Sequence, residues 1–262
     1  MVEIHYHLLH AVDDGPKDIE ASLLLAEASI AEGVTHIVST PHANSQFSFD
    51  PEVNCGRLAM IQERLGNRIS LALGCDFHLS EENLQEFEKT PSKYTINGGK
   101  YLLVELSDFG IPRSITGALR AMVASGTVPI VTHPERNALL SNDFDRLAEW
   151  LRIGCLIQIT AGSLSGRFGP DAMSVSHRLL KKDWVHLVAS DAHGTKSRPP
   201  AMATAYEVLK KRYGQERAGR LCTHNPLAVF HGDPLPERPE PVGVRSDRAL
   251  PSRSLFSRIF QS

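Results

Sequence analysis

Cysteine is sparse and scattered in this chain. Cys55, Cys75, Cys155 and Cys222 form no C-x-x-C pair, so neither a zinc ribbon nor a disulfide framework is indicated. None is followed six residues later by arginine, which removes the phosphate-binding loop that a cysteine-based phosphatase needs. G-x-S-x-G and Walker-type loops are also missing, which excludes the nucleophile elbow and the nucleotide-binding P-loop. No strong basic block stands in the body and the net charge is −2, so the electrostatic footprint of a nucleic-acid binder is lacking and nucleic acid is not an expected partner. The first residues carry no basic segment followed by an apolar one, and no apolar run reaches the length of a membrane span. A cytoplasmic, soluble protein is expected.

What is present is a strand-then-helix rhythm. The chain has 262 residues, 42% hydrophobic and 22% charged, which suits one large α/β domain with a sizeable core. Apolar runs predict strands near 2–5, 34–39, 69–74, 101–106, 128–132, 155–159 and 185–190. Helices are expected near 18–32, 51–65, 81–88, 114–124, 143–152, 171–181 and 200–212. The clearest has Ile19, Leu23, Ala26 and Ile30 on one face, Asp18 as N-cap and Gly33 as the stop. Alternation of this kind implies parallel strands with crossover helices, in a barrel or an open doubly wound sheet. An open sheet gathers its chemistry at one switch point, whereas a barrel collects it from the C-terminal ends of many strands.

The ligand-type residues decide between them. His5 and His7 close the first run at i and i+2, a spacing that puts both imidazoles on one face of a strand. Alone, an H-x-H pair is a common polar strand end. It repeats here as a pattern: His42, Asp76, Glu105, His133, and Asp191 with His193 stand at or near the ends of other runs. Candidates come from nearly all strand ends, so a barrel is favoured. The loop Asp13-Asp14-Gly15-Pro16 reads as a solvated turn by itself, but beside His5 and His7 one of its carboxylates is better read as a ligand. Asp76 and Glu105 could each serve merely as helix caps. Arg136 has the planar fork to hold a phosphate by two parallel hydrogen bonds.

Other histidines are structural on this reading. His186 alternates out of phase with Asp191, and His36 lies six residues before His42, roughly 20 Å along a strand at ~3.3 Å per residue. His177, His224 and His231 have no ligand partner nearby, while His10 and His78 stand near the rim. A site of histidines and carboxylates without thiolate suits zinc, manganese or iron, and nine candidate ligands imply two or three ions. Clustered ions acidify a water and hold attacking and leaving oxygens, the recurrent arrangement for phosphoester hydrolysis.

His5-Tyr-His7, Asp13-Asp14-Gly15-Pro16-Lys17-Asp18, Ser39-Thr-Pro-His42, Val131-Thr-His133-Pro-Glu-Arg136 and Ser190-Asp191-Ala-His193 with Arg198-Pro-Pro together resemble the polymerase and histidinol phosphatase (PHP) superfamily. The closer resemblance is to its branch of bacterial capsule and exopolysaccharide tyrosine-protein phosphatases, over roughly residues 1 to 232. The resemblance implies a distorted seven-stranded (β/α) barrel with a trinuclear centre, commonly of manganese. One ion would take His5, His7 and Asp191 and share Asp76 with a second held by Glu105 and His133. The third would take Asp14, His42 and His193, with Asp13 as an alternative to Asp14. Arg136 and Arg198 match arginines expected to hold the substrate phosphate. The bridging position is usually glutamate, so Asp76 shortens it by one methylene.

The expectation is therefore a metal-dependent protein-tyrosine phosphatase in which a metal-activated hydroxide hydrolyses phosphotyrosine. The resemblance further implies a membrane-associated bacterial tyrosine kinase as substrate, one that regulates capsular or exopolysaccharide biosynthesis. Two rivals are a small-molecule phosphomonoesterase of the histidinol-phosphatase kind and a non-catalytic, metal-stabilised scaffold. Residues 1–232 are expected to form the phosphatase domain. Residues 233–262, rich in proline and charge at the start, read as a disordered tail. There Leu255, Phe256, Ile259 and Phe260 beside Arg253 and Arg258 suit a weak membrane-surface contact.

Overall fold

Pro41 and the pair Gly74-Cys75 each split a strand in two, and these breaks decide the sheet topology. The computed structural model describes residues 1–236 and 239–244. In it β1 (Val2–Glu3), β2 (His36–Ser39) and β4 (Ser70–Leu73) form a three-stranded parallel sheet in that order. A second parallel sheet runs through β3 (His42–Ala43), β5 (Asp76–His78), β6 (Tyr101–Glu105), β7 (Val128–Thr132), β8 (Leu156–Thr160) and β9 (Leu187–Ala189). β3 resumes β2 beyond Pro41, and β5 resumes β4 beyond Cys75. Proline has no N–H to give to a ladder; the Pro41 carbonyl accepts instead from Asp76 N at 3.1 Å.

Each expected strand is thus present, but the ladders form two sheets and not the one closed barrel. β1 and β9 meet without a ladder. Tyr6 and Ala192 form a single parallel bridge, flanked by His7 N donating to Ala192 O (3.0 Å) and Asp191 N to His5 O (3.1 Å). The buried Glu3 carboxylate accepts from Ser190 N at 2.9 Å along the same seam.

The crossover helices begin where their caps dictate. Asp18 accepts from Ala21 N at 2.8 Å to open α1 (Ile19–Ala31), and Asp50 with Pro51 at the first position opens α2 (Pro51–Leu65). Then come α3 (Glu81–Lys89), α4 (Ser114–Ala124), α5 (Phe144–Ile153), α6 (Ala161–Leu164), α7 (Gly169–Lys181), α8 (Met202–Tyr213), α9 (Gln215–Gly219) and α10 (Asn225–His231). The short α6, α9 and α10 were not legible as periodic patterns, because none is long enough to show a face.

Strand alternation sorts the core into two layers. One parity (Val38, Ala72, Leu103, Ile130, Leu156, Leu187, Ala189) packs with Val2, Ile4 and, from α10, Val229 and Phe230. The other parity, including Ile37, Leu102, Val104, Val131, Ile157 and Val188, packs against helix residues such as Leu25, Leu119, Leu147 and Leu179. Each fully buried aliphatic side chain contributes on the order of 2 kcal/mol. Followed toward the strand ends, the first parity turns polar: Val38 leads to His42, Ala72 to Asp76, Leu103 to Glu105, Leu156 to Gln158 and Ala189 to Asp191, always at even spacing. His42, Asp76, Glu105 and Asp191 therefore continue the inner apolar rows, whereas His5, His7 and His133 stand at odd spacing from Ile4 and Ile130.

The chain beyond α10 returns to the body. Tyr101 Oη donates to Asp233 O (2.6 Å), Val242 N to Lys182 O (2.8 Å) and the Trp184 indole N–H to Val242 O (3.0 Å). The apolar cluster read at Leu255, Phe256, Ile259 and Phe260 lies outside the described residues. Among the described residues no helix is long and apolar enough to cross a membrane. Truncation after Val244, which keeps these contacts, sets the reference melting temperature. Truncation after Gly232 should lower it by about 4–8 °C, the equivalent of ~2 kcal/mol for two or three lost hydrogen bonds. Equal melting curves would show that these contacts contribute nothing.

Candidate metal centre

The regular part of β1 ends at Glu3, earlier than expected, and the chain bends through Ile4 and His5. The two imidazoles nevertheless converge, with ring centroids 5.6 Å apart. Their Nε2 atoms lie 3.3 Å (His5) and 3.4 Å (His7) from Asp191 Oδ1. His42 opens β3 directly opposite Asp76 in the parallel register, which brings His42 Nδ1 to 3.1 Å from Asp76 Oδ2. Glu105 ends β6, and its Oε1 is 3.7 Å from His133 Nε2. His133 and Asp191 follow β7 and β9 with φ of 32° and 54°, a left-handed backbone that non-glycine residues rarely adopt. Such strain persists only where the surroundings over-determine it, and it clusters at functional sites.

Four overlapping groups place one ligand atom from each member within 4.8 Å of the others: His7, Asp14, His42 and His193; His5, His7 and Asp76; His5, His133 and Asp191; His42, Asp76 and Glu105. All nine sequence-predicted ligands fall in these groups. Of the two loop carboxylates, Asp14 joins the cluster, with Oδ1 3.2 Å from His193 Nε2 and 3.5 Å from His42 Nε2. Asp13 stands behind it. It accepts from His7 Nδ1 (2.7 Å), Gly15 N (2.9 Å) and His42 N (3.2 Å). Gly15 is required there, since a Cβ would lie 2.9 Å from His7 O.

The hydrogen bonds behind the ligands set the imidazole tautomers. His5 Nδ1 meets Gln158 Oε1 at 3.0 Å, His7 Nδ1 meets Asp13, and His193 Nδ1 meets the Asp191 carbonyl at 3.0 Å. Each partner is an acceptor, so each ring when neutral carries its proton on Nδ1 and leaves Nε2 free to ligate. Those Nε2 atoms, both Asp76 oxygens, Asp191 Oδ1 and His42 Nδ1 are buried without a hydrogen-bond partner. Buried polar atoms are normally satisfied. This donor set, all nitrogen and oxygen and converging from several strands, fits divalent metal ions.

Electrostatics point the same way. Burial opposes charge on Asp191, yet His5, His7, Arg198 and Arg136 hold its carboxyl well below the usual range. Asp76 is likewise held low against its burial, by His5 and His42. The imidazoles of His193 and then His42 beside it hold Asp14 low. Burial would depress His5, but Asp191 and Asp76 outweigh it and push it up to about 9; His42, beside Asp14 and Asp76, is pushed up to about 11. Burial and then the Asp76 charge raise Glu105 to about 7. His193 is lowered to about 4 by burial and by His7, and His133 well below its usual value by burial and Arg136. The carboxylates draw cationic charge inward. Without metal, protons on His5 and His42 supply it.

Arg136 and Arg198 both donate to Asp191 Oδ2, opposite the oxygen that faces the imidazoles. Arg136 also reaches Thr160 Oγ1 at 3.2 Å and lies 4.3 Å over the Phe168 ring, while Arg198 Nη1 is 3.8 Å from Asp14. Histidines read as structural stay outside the four groups. His36 is edge-on to Phe230, His177 bonds Tyr213 Oη at 2.9 Å, and His186 Nδ1 accepts from Ile157 N. His78 pairs in register with Glu105, and His10 offers its carbonyl to Arg57; neither enters a group. Gln158 and the Asp13 role went unread in the sequence. A buried glutamine inside Leu156-Ile157-Gln158-Ile159 was the available signal. Three of the four cysteines are buried, and burial pushes the Cys75 and Cys222 thiols up, away from thiolate.

A family profile described as capsular polysaccharide synthesis, CpsB/CapC, matches residues 1–231. The tyrosine-protein phosphatase CpsB of Streptococcus pneumoniae is 34% identical over 239 residues, covering 88% of this chain and 98% of the relative. The tyrosine-protein phosphatase YwqE of Bacillus subtilis is 30% identical, covering 94% and 98%. A crystal structure from work on YwqE and CpsB, described as unique metal-dependent tyrosine phosphatases, matches with a TM-score of 0.86 at 30% identity, covering 94% of this chain and 100% of that one.

Two expectations follow from the geometry. Raised imidazole pKa values mean that metal and protons compete for the same nitrogens, so metal affinity should rise with pH. Loading at pH 7 should release about two protons, one each from His5 and His42, measurable by calorimetry in buffers of different ionisation enthalpy. No proton release would show that His5 and His42 are already neutral before metal binds. Gln158→Ala should free the His5 ring and weaken metal affinity by about 10- to 100-fold with little change in the far-ultraviolet spectrum; unchanged affinity would remove Gln158 from the orienting set.

Proposed function

We propose, from the premise that this chain belongs to the CpsB/CapC capsular polysaccharide synthesis family, that it is a metal-dependent protein-tyrosine phosphatase. The observation that carries this reading is the set of bare, buried Nε2 and carboxylate atoms converging beside two arginines, with no activated thiol near them. His5, His7 and Asp191 would hold one divalent ion, Glu105 and His133 a second with Asp76 shared between them, and Asp14, His42 and His193 a third. When bound, such ions supply an acidified water and positive charge for phosphoester hydrolysis. Manganese is the first choice, with zinc or iron as alternatives.

The chain's own residues do the rest. Asp13, Gln158 and the Asp191 carbonyl hold three imidazoles in the ligating tautomer. Arg136 and Arg198, tethered to Asp191, carry further N–H donors suited to the oxygens of a phosphoryl group. Thr160 and the Phe168 ring keep Arg136 in place. No side chain is required to form a covalent bond to phosphorus, and water displaces the tyrosyl oxygen.

The substrate in this reading is a phosphotyrosyl protein, namely a membrane-associated bacterial tyrosine kinase that regulates capsular or exopolysaccharide biosynthesis. The family description supports the link to capsular polysaccharide synthesis. The two sheets and the Tyr6–Ala192 bridge are read as a distorted seven-stranded barrel. Residues 1–232 would carry the chemistry and residues 233–262 a tail with weak membrane-surface contact.

The test is hydrolysis of a phosphotyrosyl peptide. A chelator should abolish it and manganese restore it, and replacing all four cysteines should leave it largely intact. Asp76→Asn should lower metal content and rate together, whereas Asp76→Glu should keep substantial activity. Turnover by a chelated, metal-free protein would end the metal reading; full metal content and rate in Asp76→Asn would end the shared-ligand assignment.

A further inference from the structure

Arg136 stands between two hollows. On one side a small pocket of about 100 Å³ opens onto Glu105 and His133. On the other lies a cavity of about 660 Å³ bounded by Phe168, Ser141 and one face of α7, within the size range of ligand sites, ~300–1,000 Å³. That face presents Asp171, Ser174, Val175 and Arg178, the i, i+3, i+4, i+7 set of a helix.

The charges in this cavity are unevenly matched. Glu135, in its wall, accepts at Oε1 from Thr160 N and Ser163 Oγ, both at 2.8 Å, while its Oε2 is buried without a hydrogen-bond partner. Arg136 is committed to Asp191 and Thr160. Arg178 lies 4.1 Å over the Phe144 ring and, among the described residues, has no carboxylate within ion-pair distance. Asp171 does not neutralise it, being seven residues away on the same helix, roughly 10 Å along the axis at ~1.5 Å per residue. A guanidinium stacked on an aromatic ring is held in one orientation with its edge available to a planar anion.

We infer that this cavity is the subsite for the polypeptide flanking the phosphotyrosine, with Arg178 pairing an acidic side chain of the substrate. This rests on the phosphatase reading above. Arg136 fixes the order: the phosphoryl group lies on its metal-facing side, and the chain that carries the tyrosine runs past Phe168 along α7. Val175 and Phe168 form an apolar floor, and the Ser141 and Ser174 hydroxyls serve backbone amides. Arg178 is a specificity residue here, since it touches the substrate away from the reacting atoms.

The experiment compares kcat/KM for para-nitrophenyl phosphate, an alanine-flanked phosphotyrosyl peptide, and peptides with one glutamate moved through the three positions on either side. The wild type should favour one glutamate position by about tenfold, the scale of one charge-assisted pair. Arg178→Ala should erase that preference through KM while leaving para-nitrophenyl phosphate and the alanine peptide unchanged. Arg178→Glu should instead favour lysine at the same position. Ser174→Trp, which fills the cavity while keeping the Arg178 charge, should raise KM for all peptides and spare the small ester; it keeps the test decisive should Arg178 variants fold poorly. No positional preference in the wild type, or an equal loss on all substrates in Arg178→Ala, would overturn the assignment. A wild type that hydrolyses the small ester but no phosphotyrosyl peptide would overturn the phosphatase reading itself, and this subsite with it.

Discussion

Asp191 is the point on which the structure turns. One of its oxygens faces His5 and His7, the other takes both Arg136 and Arg198, its backbone N–H bonds His5 O, and its carbonyl holds His193. A carboxylate only 1% exposed is costly to desolvate unless cations and donors surround it. The two arginines meet part of that demand. The imidazoles meet the rest only when protonated or when they share an ion with Asp191, so the fold stores an electrostatic deficit that divalent metal relieves. Metal binding on this account also stabilises the native state by mass action.

The same residue joins the first strand to the last. β1 and β9 share no ladder, and their seam consists of the Tyr6–Ala192 bridge, the bonds on either side of it and the Glu3 carboxylate reaching Ser190. The site is therefore assembled across the least regular junction of the sheets. The left-handed backbone at Asp191 lies at this seam, where its N–H turns to His5 O; that at His133 brings an imidazole at odd spacing from Ile130 to the same cluster. Irregular backbone in the first strand does the same for His5 and His7.

At Cys75, the cysteine next to the candidate site, environment as well as motif opposes thiolate chemistry. Cys75 precedes a candidate metal ligand, but it is fully buried and its thiol is pushed up by desolvation, with the Asp76 charge adding to it. A group so placed stays protonated and packs as a small apolar side chain. Hydrolytic power must then come from water, and the orientation of the imidazoles behind it becomes the controlling variable. Asp13, from a loop, holds His7 and Gln158, from the middle of a strand, holds His5.

Much of this was legible in the amino-acid order. Alternation and caps are local, so the strands and the longer helices could be read directly, α2 to the residue. Eight of the nine candidate ligands were legible because they stand at or near the end of an apolar run, where a polar group has no local reason to be, whereas Asp14 lies in a turn that by itself reads as solvated. Other features depended on contacts between distant segments. The choice between Asp13 and Asp14 rests on which carboxylate His7 claims from behind. Gln158 matters only because β8 packs opposite His5, 153 residues away. The split into two sheets follows from breaks at Pro41 and Gly74-Cys75 whose effect on pairing no local pattern reveals. Periodicity specifies which face of an element is apolar; which ligand meets which, and through which tautomer, is decided only when the strands are laid side by side.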